Sequence, residues 1–168
     1  EHLLGIEGSG AKIYWESLLG TGLVPSSFSH REGRGSLEIT NQALNYGYAI
    51  LTSYVWSALD NAGLEIYAGL YHSDRPGKPS LVLDVMEEYR SWVVDRNVIK
   101  MRSALEKEGS LTPALKKQLT EQIHQTMDDL FPYKGKKIKL QTIVQRQVYR
   151  FCACIVKGQR YRGYHFKW

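Results

Sequence analysis

Apolar and polar positions recur at threes and fours through most of this chain, the period of amphipathic helices, and signals for strands are scarce. Leu3, Leu4, Tyr14, Leu18 and Leu19 mark a first helix over about residues 2–18. A second runs from Asn41 to Ala62 on Ala43, Leu44, Gly47, Ile50, Leu51, Tyr54, Val55 and Ala58, with Gly63 as its stop. A third spans about residues 80–104, capped by Ser80, with Asp84, Glu87 and Glu88 early and Arg96, Lys100 and Arg102 late, as the helix dipole favours. Ser110 and Thr112 offer caps before Pro113 for a fourth, which carries Leu115, Leu119, Ile123, Met127 and Leu130 until Phe131-Pro132-Tyr133 breaks it. A last helix covers about residues 140–157, with Leu140, Ile143, Val144, Gln147, Val148, Phe151, Cys152 and Ile155 on one stripe and Gly158 at its end. Between these lie a Gly- and Ser-rich stretch over residues 20–38, which reads as an irregular, mobile loop, and the turn Ser73-Asp74-Arg75-Pro76-Gly77-Lys78-Pro79. The expectation is an all-α fold: one domain over residues 1–168, with about five to seven helices and irregular loops.

Composition narrows the class. Apolar residues make up 43% of the 168, enough for a buried core. No run of eighteen apolar residues occurs, so a membrane span is not expected. The start has no basic region, no small-residue cleavage site and no initiator Met, which suggests a piece of a longer or processed chain. Cys152 and Cys154, two apart in an apolar run, read as reduced core thiols. The charge is uneven. Residues 130–168 carry ten basic side chains and no acidic ones, and the rest of the chain is net acidic. A positive end suits a polyanion such as DNA.

The candidate chemistry lies in carboxylates and an imidazole set among apolar or small residues. Glu7 sits in Gly5-Ile6-Glu7-Gly8-Ser9-Gly10, where small neighbours permit close approach. His72 ends an apolar run. Asp84 lies inside Leu81-Val82-Leu83-Asp84-Val85-Met86, and Glu87 follows three residues later on the same helical face. One imidazole with carboxylates suits Mg²⁺ or Mn²⁺. On spacing alone, a solvated Asp84/Glu87 pair and a packed His72 explain the pattern better. Zinc, P-loop and nucleophile-elbow templates all fail: the chain has no CxxC, HExxH, GxxxxGK[ST] or GxSxG.

Five ordered segments change that balance: Gly5-Ile6-Glu7-Gly8 through Ala11-Lys12-Ile13-Tyr14-Trp15; Asn41-Gln42-Ala43-Leu44-Asn45-Tyr46-Gly47-Tyr48-Ala49-Ile50-Leu51; Gly63-Leu64 through Tyr71-His72; Asp74-Arg75-Pro76-Gly77-Lys78-Pro79 through Glu87-Glu88-Tyr89-Arg90; and Tyr161-Arg162-Gly163-Tyr164-His165-Phe166. Together they resemble the CRISPR-associated integrase-nuclease family (Cas-one) over nearly the whole chain. The resemblance implies an α-helical catalytic domain with Glu7, His72 and Glu87 as ligands of one Mg²⁺ or Mn²⁺ ion, and Asp84 as a neighbouring catalytic carboxylate. It implies a DNA endonuclease and integrase of spacer acquisition, which joins ends by attack of a 3′-hydroxyl and cuts branched DNA. It also implies a Cas-two partner protein and a homodimer, the latter made by an N-terminal β-rich domain that this sequence does not contain. Ser91 and Trp92 depart from the family's pattern, which has a proline there. Lys12, Arg75 and Lys78 are candidates for gripping DNA phosphates beside this site, with Arg31 and Arg34 closing over DNA from the loop and Arg146 and Arg150 on the last helix. The alternatives from other classes are a non-catalytic helical DNA-binding module and a related mobile-element transposase domain. The aromatic tail is expected to pack back on the domain.

Overall fold

A computed structural model describes residues 2–72 and 75–166, with side chains from residue 5 onward. The side chains of Leu3 and Leu4, the turn residues Ser73 and Asp74, and Lys167 and Trp168 lie outside the described residues. Seven α-helices form within that range: α1 (His2–Gly20), α2 (Ile39–Asp60), α3 (Ser80–Met86), α4 (Arg96–Lys100), α5 (Arg102–Lys107), α6 (Pro113–Asp128) and α7 (Leu140–Val156). The mostly helical class follows from the sequence as expected, with one addition. The segment read as a helix break folds into an antiparallel hairpin, β1 (Leu130–Tyr133) and β2 (Lys136–Lys139). Its two-residue turn places both Lys134 (φ 47) and Gly135 (φ 80) in the left-handed region, which suits the twist of a tight hairpin.

The centre of the fold is α2, buried along its length from Ile39 to Leu59 and packed by α3, α6, α7 and the turn before α4. Its small residues allow this. A Cβ on Gly47 would stand 2.6 Å from a Val94 methyl, so only glycine lets the two segments approach so closely. The Glu38 carboxylate caps the helix, accepting from the amides of Thr40 and Asn41.

The expected third helix is in fact three helices and a π-helical turn, Ser91–Asp95. Trp92, Val93, Val94 and Asp95 are all buried. Four consecutive residues span more of a helix circumference than one inward stripe, and the wider turn lets all of them face the protein. Ser80 is the first residue of α3, one past the cap position, which Pro79 holds, and its hydroxyl donates to the Lys78 carbonyl at 3.4 Å. On α7 the expected stripe holds from Leu140 to Phe151. Beyond it Cys154 is buried, Cys152 is half-buried, and Ile155 is exposed. Gly158, at φ 60, closes α7, with the Gln159 amide donating to the Cys154 carbonyl at 2.8 Å.

The loop between α1 and α2 is pinned, contrary to the mobile loop expected. Phe28 is 1% exposed beneath Trp15. Asn41 accepts from the Glu32 amide and donates to the His30 carbonyl, and Asn45 donates to the Gly33 carbonyl. Asparagines one turn apart on α2 thus sew down a segment whose glycines and serines suggested freedom.

The tail packs back on the domain. Phe166 stacks on Trp92 (4.8 Å, 7° between planes) and meets Phe131 and Tyr164 edge-on, while the Tyr164 amide donates to Glu88 at 3.1 Å. Truncation after Gly158 removes Tyr164 and Phe166 from this cluster and Tyr161 from its edge-on contact with Phe151. At ~1 kcal/mol for each partly buried ring, the expected loss is about 3 kcal/mol, or roughly a 6–12 °C fall in melting temperature by calorimetry. An unchanged melting temperature would show the tail to be a loose arm.

Candidate metal centre

The best-defined element of the site is the fixation of His72 by Asp84. Asp84 projects from α3 toward the preceding segment. Its Oδ2 accepts from the amides of Leu70 (2.6 Å) and Tyr71 (3.0 Å), and its Oδ1 from the His72 amide (3.0 Å). His72 Nδ1 lies 2.6 Å from the same Oδ1. Burial works against the charge of Asp84, but the Tyr71 amide, the His72 imidazole and the other two amides outweigh it and hold the carboxyl below its ordinary range. A carboxylate facing Nδ1 accepts from the Nδ1–H tautomer, in which Nε2 carries the free lone pair. Histidines that ligate metals are oriented in this way. The apolar run around Asp84 therefore marked a structural anchor for the 70–72 segment.

Glu7 and Glu87 both line a cleft of about 290 Å³. One wall is the face of α1 that carries Glu7, Gly10, Ala11 and Tyr14. The other carries Glu87, Arg90 and Ser91, with Tyr48 and Asp95 beneath. Glu7 is exposed, and Glu87, at the end of α3, pairs with Arg90. Tyr71 links the two halves of the site. Its ring meets His72 edge-on (5.6 Å), and burial together with the carboxylates of Glu7, Glu87 and Asp84 pushes its hydroxyl up. That hydroxyl is buried and lies against the Glu7 carboxylate. Among the described residues, no three His, Cys, Asp or Glu side chains stand close enough together to hold an ion as they are placed. The donor chemistry still fits a hard divalent ion: two carboxylates, an imidazole held by a third, and a tyrosine hydroxyl beside them.

Beneath the cleft lies a network that sequence reading missed. Asp95 is 4% exposed, and its carboxylate accepts from the Tyr48 hydroxyl and, at 3.1 Å, from the Tyr14 hydroxyl. Burial pushes the Asp95 carboxyl up to about 6, against the pull of Tyr48, Arg90, Tyr14 and Arg31. Arg90 lies 4.4 Å from the Tyr48 ring centroid and Arg31 lies 5.3 Å from it. One signal was legible: Asp95 closes the apolar run Trp92-Val93-Val94, as Asp84 interrupts its own.

The candidate DNA contacts are dispersed. Lys12 is exposed beside Glu16 on α1. Arg31 does not close from a mobile loop: its guanidinium donates to Asn41 (3.0 Å) and Asn45 (2.6 Å), two residues of α2. Arg34 is exposed. Arg75 edges an open depression with Glu65 and Tyr67, and Lys78 is half-buried. Arg146 lies 5.7 Å from the Tyr133 ring centroid, and both it and Arg150 are exposed on α7.

Against known proteins, the family of the CRISPR associated protein Cas1 matches residues 1–125. The CRISPR-associated endonuclease Cas1 1 of Francisella tularensis subsp. novicida is 51% identical over 166 residues, covering 99% of this chain and 52% of that protein. Its counterpart in Archaeoglobus fulgidus is 31% identical over 186 residues, covering 100% of this chain and 53% of that protein. This chain therefore belongs to the CRISPR-associated Cas1 family, and it spans about half the length of the curated relatives it matches. The same fold recurs in a casposase bound to integration product (TM-score 0.81, 24% identity, 94% of this chain and 48% of that one) and in a Cas1 protein from Thermotoga maritima (TM-score 0.81, 19% identity, 95% and 53%).

Proposed function

We propose that this chain is the metal-dependent catalytic part of a CRISPR-associated DNA endonuclease and integrase acting in spacer acquisition. The observation that carries the reading is the Asp84–His72 pair, joined through the Tyr71 ring and hydroxyl to Glu7 and Glu87, the carboxylates that line the cleft. Glu7, His72 and Glu87 are the ligands on this reading, for Mg²⁺ or Mn²⁺. The bound ion supplies charge stabilisation at a phosphodiester and a more acidic water or 3′-hydroxyl. Asp84 acts through His72, holding the ring and its proton. Tyr71 offers a hydroxyl to the developing negative charge. Lys12, Arg75 and Lys78 position the phosphates of branched or protospacer-like duplex DNA, with the basic face of Arg146 and Arg150 extending the track and Arg34 supporting it from the α1–α2 loop. Arg31 contributes by shaping the wall of the site from its place on the asparagines.

For the longer protein the reading includes a homodimer, a Cas-two partner and a prokaryotic cytoplasmic setting. Among the described residues no helix is long and apolar enough to cross a membrane.

The test is cleavage of a branched duplex by the chain with Mn²⁺ and with EDTA. Cleavage with Mn²⁺ that stops in EDTA is expected. Cleavage indifferent to EDTA, or DNA binding with no cleavage in either condition, would overturn the proposal and leave a helical DNA-binding module.

A further inference from the structure

The helix that carries Glu7 is held to the rest of the protein by few contacts. Its described residues are exposed from Gly5 to Tyr14, and Ile6 and Ile13 are 67% and 65% exposed. Trp15 is buried against Phe28 and Leu18 is partly buried, so the apolar attachment lies at the C-terminal half of α1. Glu7 sits two turns upstream of that attachment. Tyr14 lies between the two, and its hydroxyl reaches into the body of the protein to donate to Asp95.

Spacing makes this bond matter for the site. Glu7, Gly10, Ala11 and Tyr14 fall at intervals of three, one and three residues, which places them on one face of α1, and all four line the cleft. Opposite stand Glu87 and Arg90, with Asp95 at the floor between the walls. The Tyr14–Asp95 bond therefore spans the cleft at its base. The other link on the described residues is the Tyr71 hydroxyl beside the Glu7 carboxylate, two turns further along α1. A Cβ on Gly10 would meet nothing within 4 Å, so the walls do not touch there. Asp95 cannot shift to follow Tyr14, because the π turn buries it and the Tyr48 hydroxyl holds its other oxygen.

We infer that the Tyr14–Asp95 hydrogen bond is a clamp that sets how closely the Glu7 wall of the cleft approaches the Glu87 wall, making Tyr14 and Asp95 positioning residues for the metal centre. The inference rests on the proposed metal site. It explains why a buried carboxylate lies under the cleft without facing it as a donor: both of its oxygens are taken up by tyrosine hydroxyls from the two sides. It also assigns Tyr48 a part, as the residue that fixes Asp95 from α2.

The test measures Mn²⁺ affinity from the EPR signal of the free ion, alongside thermal melting, for wild type, Tyr14→Phe, Glu7→Gln and the double variant. Tyr14→Phe removes only a hydroxyl from a side chain that is 36% exposed, so the fold survives it. It is expected to weaken Mn²⁺ binding by about five- to tenfold, the effect of one hydrogen bond, and to lower the melting temperature by no more than about 4 °C. Glu7→Gln is expected to weaken binding as well, and the double variant to be no weaker than Glu7→Gln alone, since the clamp acts through Glu7. Asp95→Asn is expected to give a loss similar to Tyr14→Phe. Weaker binding in Glu7→Gln with wild-type binding in Tyr14→Phe overturns the clamp and leaves the metal site standing. Independent, additive losses also overturn it, because Tyr14 then acts on something other than Glu7. Wild-type binding in both single variants overturns the metal-site reading itself, and the clamp falls with it.

Discussion

Replacing Glu87 by Ala is expected to reduce metal-dependent cleavage of a branched duplex by about a hundred- to ten-thousandfold while leaving the protein folded. The size follows from the part proposed for a bound ion: several kcal/mol of charge stabilisation at the phosphodiester, each 1.36 kcal/mol being about a factor of ten in rate. The fold survives because Glu87 closes the short α3 at the surface, where its partner is Arg90. A partly exposed ion pair of this kind contributes about 0–1 kcal/mol. Arg90 keeps a second support in the Tyr48 ring at 4.4 Å. Glu87→Gln is the sharper variant, since it retains size and hydrogen bonding but not charge. Initial cleavage rates read beside melting curves separate a lost ligand from a damaged fold. Near wild-type cleavage in Glu87→Ala would remove this residue from the site.

Asp84→Ala is expected to fail differently, by losing stability and metal affinity together. Three amides, those of Leu70, Tyr71 and His72, lose their acceptor, and His72 Nδ1 loses the carboxylate that orients it. The half-buried amides of Tyr71 and His72 left without partners cost about 1 kcal/mol each and the exposed Leu70 amide less, so with the lost His72 bond a loss of about 2–4 kcal/mol and a fall of roughly 4–16 °C in melting temperature are expected. Removing a carboxylate behind a ligating histidine typically weakens metal binding by about 10–100-fold, and the same is expected here for Mn²⁺. Asp84→Asn keeps an acceptor for part of the amide set and is expected to lie between Ala and wild type in stability. A variant that melts lower yet binds Mn²⁺ as wild type does would show that Asp84 builds the segment without serving the site.

The contrast between these two acidic residues shows what sequence could and could not disclose. Both stood out for their place near one helical face, and spacing offered no way to tell them apart. Coordinates separate them: Asp84 turns back onto the backbone of residues 70–72, and Glu87 lines the cleft. Helices α2, α6 and α7 were legible because long stripes of Leu, Ile and Val at helical spacing leave one way to bury them. The segment from 80 to 107 was not. Its inward positions follow Val93 and Val94 directly, and no regular helix accommodates that run without the π turn. The hairpin escaped because Pro132 argued for a simple break, whereas Lys134-Gly135 supplied the turn. The pinned loop shows the same weakness of composition: its freedom is removed by Asn41 and Asn45, residues of the following helix. The Tyr14–Asp95 contact spans 81 positions, and no local pattern announces such a pairing.

The central claim is that His72, with its Nδ1 side given to Asp84, binds the ion through Nε2 together with Glu7 and Glu87. The most direct measurement is pulsed EPR of Mn²⁺ bound to the chain with ¹⁵N-labelled histidine. One directly coordinated imidazole nitrogen is expected in the wild type, and its coupling is expected to vanish in His72→Gln. A wild-type signal without nitrogen coupling, or a coupling that persists in His72→Gln, would contradict the account.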